Sequence, residues 1–236
     1  MRRIFIGDIQ GCREPLDRLL RRLALKAEDR VYCAGDLVNR GPDSIGTLRR
    51  LREIGARSVL GNHDLALLKF AAAPKRRKFS AQLEEVLDAP DAAEIIAWLA
   101  QQPVLLVDDD VVVVHGGLHP AWINLAAVAA RMHRALPAHI NGDLDADISF
   151  ATEVRHCDAS GQRPKSDDPP PDPPFMPWDH WYRGAPTAVF GHWARRGLVT
   201  GAKVRGLDTG CVYGGPLTAW IAEEDRLVQV PGLATA

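Results

Sequence analysis

The sequence predicts an α/β protein, and three observations carry that assignment. Short apolar runs ending in glycine and a polar residue recur through the first third, each followed by apolar residues at helical spacing. The 236 residues are 46% hydrophobic and 25% charged, an ordinary globular composition with enough chain to bury a core unaided by disulfide or metal staples. The 29 basic and 30 acidic residues leave a net charge of −1, which argues against a chain built mainly to coat nucleic acid or an anionic membrane.

Taken in order, Ile4-Phe5-Ile6 runs into Gly7-Asp8-Ile9-Gln10-Gly11, and Pro15–Leu25 follows with Leu16, Leu19, Leu20 and Leu23 at helical spacing. Val31-Tyr32-Cys33-Ala34 runs into Gly35-Asp36 and a loop through Gly41-Pro42. Asp43 or Ser44 can then cap a helix carrying Ile45, Leu48, Leu51 and Ile54. Ser58-Val59-Leu60 runs into Gly61-Asn62-His63-Asp64, with a helix predicted over Leu65–Phe70. Strand, polar loop and helix in repetition mean βαβ connections that present polar groups at strand ends.

The middle of the chain differs. Lys75-Arg76-Arg77-Lys78 is a basic run, read as a solvated patch or as an attractor for a polyphosphate or an RNA 5′ end. One or two amphipathic helices are predicted over 80–100, so that about 71–100 forms a helical insertion. Val104–Val107 and Val111–Val114 flank Asp108-Asp109-Asp110 as a hairpin that runs into His115-Gly116-Gly117. A helix is predicted over 121–136. Residues 137–186 read as irregular, and the seven prolines of Pro164–Pro177 predict a long surface loop or lid. Trp178 and Trp181 are read as packing beneath that loop, or as a platform for an adenine. Thr187–Phe190 is a strand leading into Gly191-His192-Trp193, and short strands follow near 203–207, 216–221 and 226–230. No linker divides the chain, so one domain spanning 1–236 is expected.

The apolar runs fall far below the 18 or more residues of a membrane span. Asp8 and Glu14 stand where a signal peptide needs an apolar core. The cysteines at 12, 33, 157 and 211 form no C-x-x-C pair. Reduced thiols, no membrane and a cytoplasmic location are the expectation.

The polar residues directly after predicted strands are Asp8 and Gln10, Asp36, Asn62 and His63, His115, and His192. Carboxylates, carboxamides and imidazoles form a mixed O/N set that suits Mn, Fe, Co, Ni or Zn. A two-metal centre, with ions about 3.5–4 Å apart, clamps a phosphoryl group and supplies hydroxide at neutral pH. The competing reading makes Asp8 and Asp36 helix N-caps. His119, His133, His139, His156 and His180 have no motif around them, and Cys12, Cys33 and Cys211 read as small buried residues.

In this order, Gly7-Asp8-Ile9-Gln10-Gly11, Gly35-Asp36-Leu37-Val38-Asn39-Arg40-Gly41, Gly61-Asn62-His63-Asp64 and His115-Gly116-Gly117 resemble the motifs of the phosphoprotein-phosphatase-like metallophosphoesterases. Gly11-Cys12, Arg40-Gly41-Pro42, Gly191-His192-Trp193 and Leu207-Asp208-Thr209-Gly210-Cys211 resemble the symmetrical diadenosine tetraphosphatases within that superfamily. The resemblance implies a calcineurin-like fold, a central β-sandwich flanked by helices, and two divalent ions, Mn first among them and Mg included. It implies Asp8 and Gln10 for the first metal, Asp36 as the bridge, and Asn62, His115 and His192 for the second. It further implies Arg40 as the arginine gripping the substrate phosphate, His63 as general acid with Asp64 beside it, and a second phosphate-binding arginine. Arg155 fits that place, with Arg183 as the alternative. Asn39 stands where protein phosphatases resembling this chain carry a carboxylate that orients the general acid.

The function so implied is symmetrical hydrolysis of diadenosine tetraphosphate, a dinucleoside polyphosphate, into two ADP. The same chemistry extends to RNA 5′ ends capped with a nucleoside tetraphosphate. A serine/threonine protein phosphatase with the same centre is the alternative, followed by an inactive phosphate-binding scaffold.

Overall fold

A computed structural model describes residues 1–72 and 80–234 of the chain. Its elements in order are β1 (Arg3–Ile6), α1 (Arg13–Leu23), β2 (Arg30–Cys33), α2 (Ser44–Glu53), β3 (Arg57–Ser58), α3 (Asn62–Ala72), α4 (Ala81–Asp88) and α5 (Ala92–Ala100). There follow β4 (Leu105–Asp108), β5 (Val111–Val114), α6 (Leu125–Ile140), α7 (Ala146–Glu153), β6 (His156–Cys157) and β7 (Met176–Pro177). The last are β8 (Thr187–Phe190), β9 (Val199–Gly201), β10 (Val204–Gly206), β11 (Leu217–Ile221) and β12 (Arg226–Val230).

Two five-stranded mixed sheets form a sandwich, in the orders β12-β11-β1-β2-β3 and β4-β5-β8-β10-β9. Period-two alternation assigns the faces. Phe5, Tyr32 and Trp220 of the first sheet meet Leu106, Val111, Val113 and Val189 of the second in one interior cluster. Their neighbours Ile4, Ile6, Val31, Cys33, Val112, Val114 and Phe190 join the larger cluster built with the helices. Because both faces are covered, the strands are continuously apolar. In each sheet the strands that lead into the polar motifs run parallel: β1 with β2 and β2 with β3, then β5 with β8 and β8 with β10.

Several elements depart from the sequence expectation for identifiable reasons. Helix α3 begins on the motif itself, so Asn62 and His63 form its first turn. The 80–100 region, expected as one or two helices, is two, interrupted at Pro90, which disfavours helical geometry in the residue before it. The basic run Lys75–Lys78 lies outside the described residues. Helix α6 starts at Leu125 because the Asn124 side chain accepts from Ala127 N.

The irregular reading of 137–186 is corrected. That stretch holds the end of α6, the eight-residue α7 capped by Asp145, and the β6–β7 pair, whose register His156↔Pro177 closes the base of the Pro-rich segment. The short α7 escaped detection because Ile148, Phe150, Ala151 and Thr152 are all buried, leaving no amphipathic stripe.

Trp178 fastens this region to the sandwich. It is 0% exposed and lies 5.1 Å from the Phe190 ring, and a Cβ at Gly117 would come within 2.6 Å of it. Replacing Trp178 with Ala should therefore cost about 3–5 kcal/mol of stability. Urea unfolding is expected to show a lower midpoint at an unchanged slope; an unshifted midpoint would mean that this indole does not anchor the segment.

Candidate metal centre

The strand ends bring the predicted polar residues together. Asp8 follows β1, Asp36 follows β2, Asn62 and His63 open α3, His115 follows β5, and His192 follows β8. Backbone contacts lock these loops to one another. Ile9 N and Gln10 N donate to Asp36 O at 3.2 and 2.8 Å, and Gly191 N donates to His115 O at 2.9 Å. Asp8 and Asp36 are not helix caps: α1 is preceded by Cys12, with no side-chain cap bond, and α2 is capped by Asp43.

Acceptor atoms face one another across the centre. His115 Nδ1 donates to Ala34 O at 2.8 Å. That leaves Nε2 turned toward Asp36 Oδ1 at 3.3 Å and Asn62 Oδ1 at 3.2 Å. His192 Nε2 donates to Glu153 O at 3.0 Å, which leaves Nδ1 facing the same Asn62 oxygen at 3.0 Å. Backbone carbonyls thus fix the orientation of both rings and aim His115 Nε2 and His192 Nδ1 inward, as in metal-ligating histidines. Asp8, Asp36 and His115 offer ligand atoms within 4.8 Å of one another, all buried. Gln10 Nε2 contacts Asp36 Oδ2 at 3.4 Å.

The charges point the same way. Burial, with Asp208 nearby, pushes the Asp8 carboxyl well above its ordinary range. Burial likewise raises Asp208 to about 6. Burial alone would raise Asp36, but His115 and His63 hold it below the usual carboxylate range. His115 rises to about 10, because Asp36 and Asp8 outweigh the effect of its burial. Excess negative charge in a buried pocket is what a bound cation offsets, so the residues present fit a divalent ion.

Two glycines make room for the carboxylates. A Cβ on Gly191 would lie 2.0 Å from Asp8 Oδ1, and one on Gly61 would lie 2.1 Å from Asp36 Oδ1. His63 N, at the start of α3, donates to Asp36 Oδ1 at 2.9 Å, which directs the positive end of that helix at the carboxylate.

The His63 ring accepts at Nδ1 from Asn39 Nδ2, 2.8 Å away. The Asn39 oxygen is already occupied by Arg40 N at 2.9 Å and Ser80 Oγ at 2.7 Å, which fixes the amide orientation and makes Nδ1 an acceptor; on the other side of the ring Arg40 Nε lies 3.5 Å from Nε2. Burial lowers the pKa of His63, partly offset by Asp36.

Asp64 is a correction. It is 0% exposed and accepts from Leu37 N and Gly61 N, both at 2.9 Å. It ties two motif loops together beneath the site and does not stand beside the His63 ring as a reacting group.

A cavity of about 860 Å³ opens over the centre, lined by Gln10, Asp36, Arg40, Asn62, His63 and His192. Arg155 reaches it as expected. The alternative, Arg183, spends its Nη1 on His180 O and Tyr182 O and does not line the cavity. Trp178 and Trp181 do not line it either; Trp181 Nε1 donates to Cys157 O at 2.8 Å. The aromatic walls are Trp193 and Tyr213, the latter beneath the Arg40 guanidinium at 5.8 Å. Sequence reasoning missed Tyr213, for which no local signal exists. Asp208 does carry a local signal, since it follows β10 as Asp8 follows β1.

Comparison with known proteins agrees with this geometry. The family model described as calcineurin-like phosphoesterase matches residues 1–146. A symmetrical bis(5′-nucleosyl)-tetraphosphatase from Ralstonia nicotianae is 40% identical, covering 91% of this chain and 87% of that protein. One from Chromohalobacter salexigens is 40% identical over 91% of this chain and 92% of that protein. One from Cellvibrio japonicus is 37% identical over 95% and 96%. A crystal structure of a candidate diadenosine tetraphosphatase superposes with a TM-score of 0.74 at 33% identity, covering 99% of this chain and 95% of that one.

The glycine contacts give a direct test of the centre. Gly191→Ala forces Asp8 aside without removing any ligand atom, so manganese affinity in equilibrium dialysis should fall roughly 10–100-fold, as when the support of a metal ligand is disturbed. Circular dichroism should remain native. Affinity within twofold of the parent would show that Asp8 holds no ion.

Proposed function

This chain belongs to the calcineurin-like phosphoesterase family and is a hydrolase, and from that premise we propose that it cleaves diadenosine tetraphosphate symmetrically into two ADP. The observation that carries the reading is the inward-facing set of buried Asp8, Asp36 and His115 with half-buried Asn62 and His192, opening into a groove that Arg40 and Arg155 line. Relatives at 40% identity over most of the chain bear that activity in their names.

We assign two divalent ions, manganese first, to Asp8, Gln10 and Asp36 on one side and to Asp36, Asn62, His115 and His192 on the other. Held there, such ions would supply Lewis-acid stabilisation of a phosphoryl group and a nucleophile at neutral pH. The protein supplies the rest. Arg40, exposed at the cavity edge, is a planar bidentate donor for a phosphate. His63, beside Arg40 on the cavity wall, would protonate the departing oxygen.

Asn39 speaks for an anhydride rather than a phosphoserine substrate. Protonating His63 would set an Nδ1–H against the Asn39 amide protons, so that hydrogen bond favours the neutral ring. A serine alkoxide is strongly basic and needs a proton as it leaves; a nucleoside diphosphate leaves on a phosphate with a pKa of about 6 and needs it much less. The reading extends to RNA 5′ ends capped with a nucleoside tetraphosphate, where the scissile bond is the same. No described helix is long and apolar enough to cross a membrane. All four cysteines are free and buried, in keeping with a reducing cytoplasm. We treat residues 1–236 as one domain, with the Pro-rich segment as cover over the groove.

Chromatography of the products formed from diadenosine tetraphosphate with manganese, run beside a phosphoserine peptide, tests the assignment. ADP as the sole nucleotide is expected; AMP with ATP, or turnover of the peptide alone, would overturn it. In Asn39→Asp the ratio of kcat/KM for phosphoserine peptide to that for the dinucleotide should rise roughly tenfold or more, part of the 10²–10⁴-fold that a general acid contributes in full. An unchanged ratio would remove Asn39 from leaving-group selection.

A further inference from the structure

Beyond the metal-side residues, the groove is lined by Arg155 and Arg195, and neither faces it unpaired. Arg155 Nη1 lies 3.9 Å from Asp167 Oδ2. His156 Nδ1 lies 2.8 Å from Asp167 Oδ1. Arg195 is paired with Asp168. Both aspartates come from the Pro-rich segment, and both line the same cavity as Asp36 and His63. The register of β6 with β7 closes the base of this segment, and its prolines restrict the backbone, so the carboxylates are presented at small entropic cost.

We propose that Asp167 and Asp168 are internal counter-anions of the groove, which a polyphosphate chain displaces from Arg155 and Arg195, so that only a polyanion long enough to reach past the metal side opens these pairs. The Arg195 and Asp168 side chains are 80% and 68% exposed, and exposed ion pairs are weak and readily exchanged. A phosphate offers the same guanidinium a bidentate acceptor of higher charge. An orthophosphate or phosphomonoester held at the metal side leaves these pairs closed. A chain of three or more phosphates continues into the groove and takes the place of the carboxylates. Nothing is cleaved in this exchange: one anion replaces another on the same cations. The inference deepens the polyphosphate reading above, yet its test measures binding alone, so failure of either is separable from failure of the other.

The experiment is calorimetric titration of the full-length, manganese-loaded protein, at constant free manganese, with tripolyphosphate in its non-hydrolysable methylene form and, separately, with orthophosphate. Asp167→Asn/Asp168→Asn should bind tripolyphosphate about three- to tenfold more tightly, the combined effect of releasing two weak pairs, and should leave orthophosphate unchanged. Arg195→Ala should weaken tripolyphosphate binding. Since Asp167 also partners the buried His156, Asp168→Asn alone provides a variant whose altered side chain is exposed, with tightening of about twofold or more expected. Ordinary surface ion pairs would give no gain when the carboxylate is removed. Equal or weaker tripolyphosphate binding in the aspartate variants, or the same gain for orthophosphate, would overturn the proposal.

Discussion

Asp8, Asp36, Asp64 and Asp208 are buried together at one end of the sandwich, and holding them there is the constraint that the surrounding structure answers. Like charges in a low-dielectric interior repel strongly and forfeit hydration, so each carboxylate needs donors fixed in advance. Asp64 receives two backbone N–H groups, Asp36 the first turn of α3 and the His115 ring, Asp8 the His192 amide at 3.2 Å, and Asp208 the Gly210 amide at 3.1 Å. The motif glycines follow from the same demand, because at positions 61 and 191 a side chain would occupy the space of a carboxylate oxygen. Two sheets are needed as well. One supplies Asp8 and Asp36, the other His115, His192 and Asp208, and the shared interior of Phe5, Tyr32, Val111, Val113, Val189 and Trp220 keeps the two sets of loops in register.

That division explains what the sequence discloses and what it hides. The strand-end residues were legible because a strand, a glycine and a polar group in succession form a local pattern. Strand order was not. β1 pairs with β11, Ile4 opposite Ile221, and nothing in either segment names the other. Continuous apolar strands such as Val111–Val114 also conceal which residues face the second sheet, because both faces are covered. Asp64 was misread for a related reason: adjacency to His63 in the chain does not bring two side chains together in a helical first turn, where neighbours point apart. For Asn39 the sequence offers a neighbour of the histidine, but only the structure shows that its oxygen is committed to Arg40 and Ser80, leaving nitrogen for the ring.

Backbone strain falls where the chemistry is. Among the described residues, eight non-glycines have positive φ, and five of them are Gln10, Asp36, Asn39, Arg40 and His192. Such conformations cost on the order of 1–3 kcal/mol each and persist only where the surroundings over-determine them. Here the surroundings are the cross-loop hydrogen bonds and the sandwich core. The acceptor cage is therefore preorganised: its atoms are held facing one another by the fold, and a cation entering it has little reorganisation to drive.

The outer groove is built on the opposite plan. Its arginines meet exposed or half-buried carboxylates from the Pro-rich segment, in contacts that solvent weakens. A ligand arriving there exchanges one set of ion pairs for another without disturbing the strained centre. Rigidity near the scissile bond and exchangeability away from it suit a long, highly charged substrate. Its terminal parts must bind and leave readily, while a single phosphorus is held in fixed geometry. The two halves are linked through Arg40, whose left-handed backbone, at φ 64°, belongs to the strained loop. Its guanidinium lies over Tyr213 at the groove wall, so this cation is set by the rigid half and faces the exchangeable one.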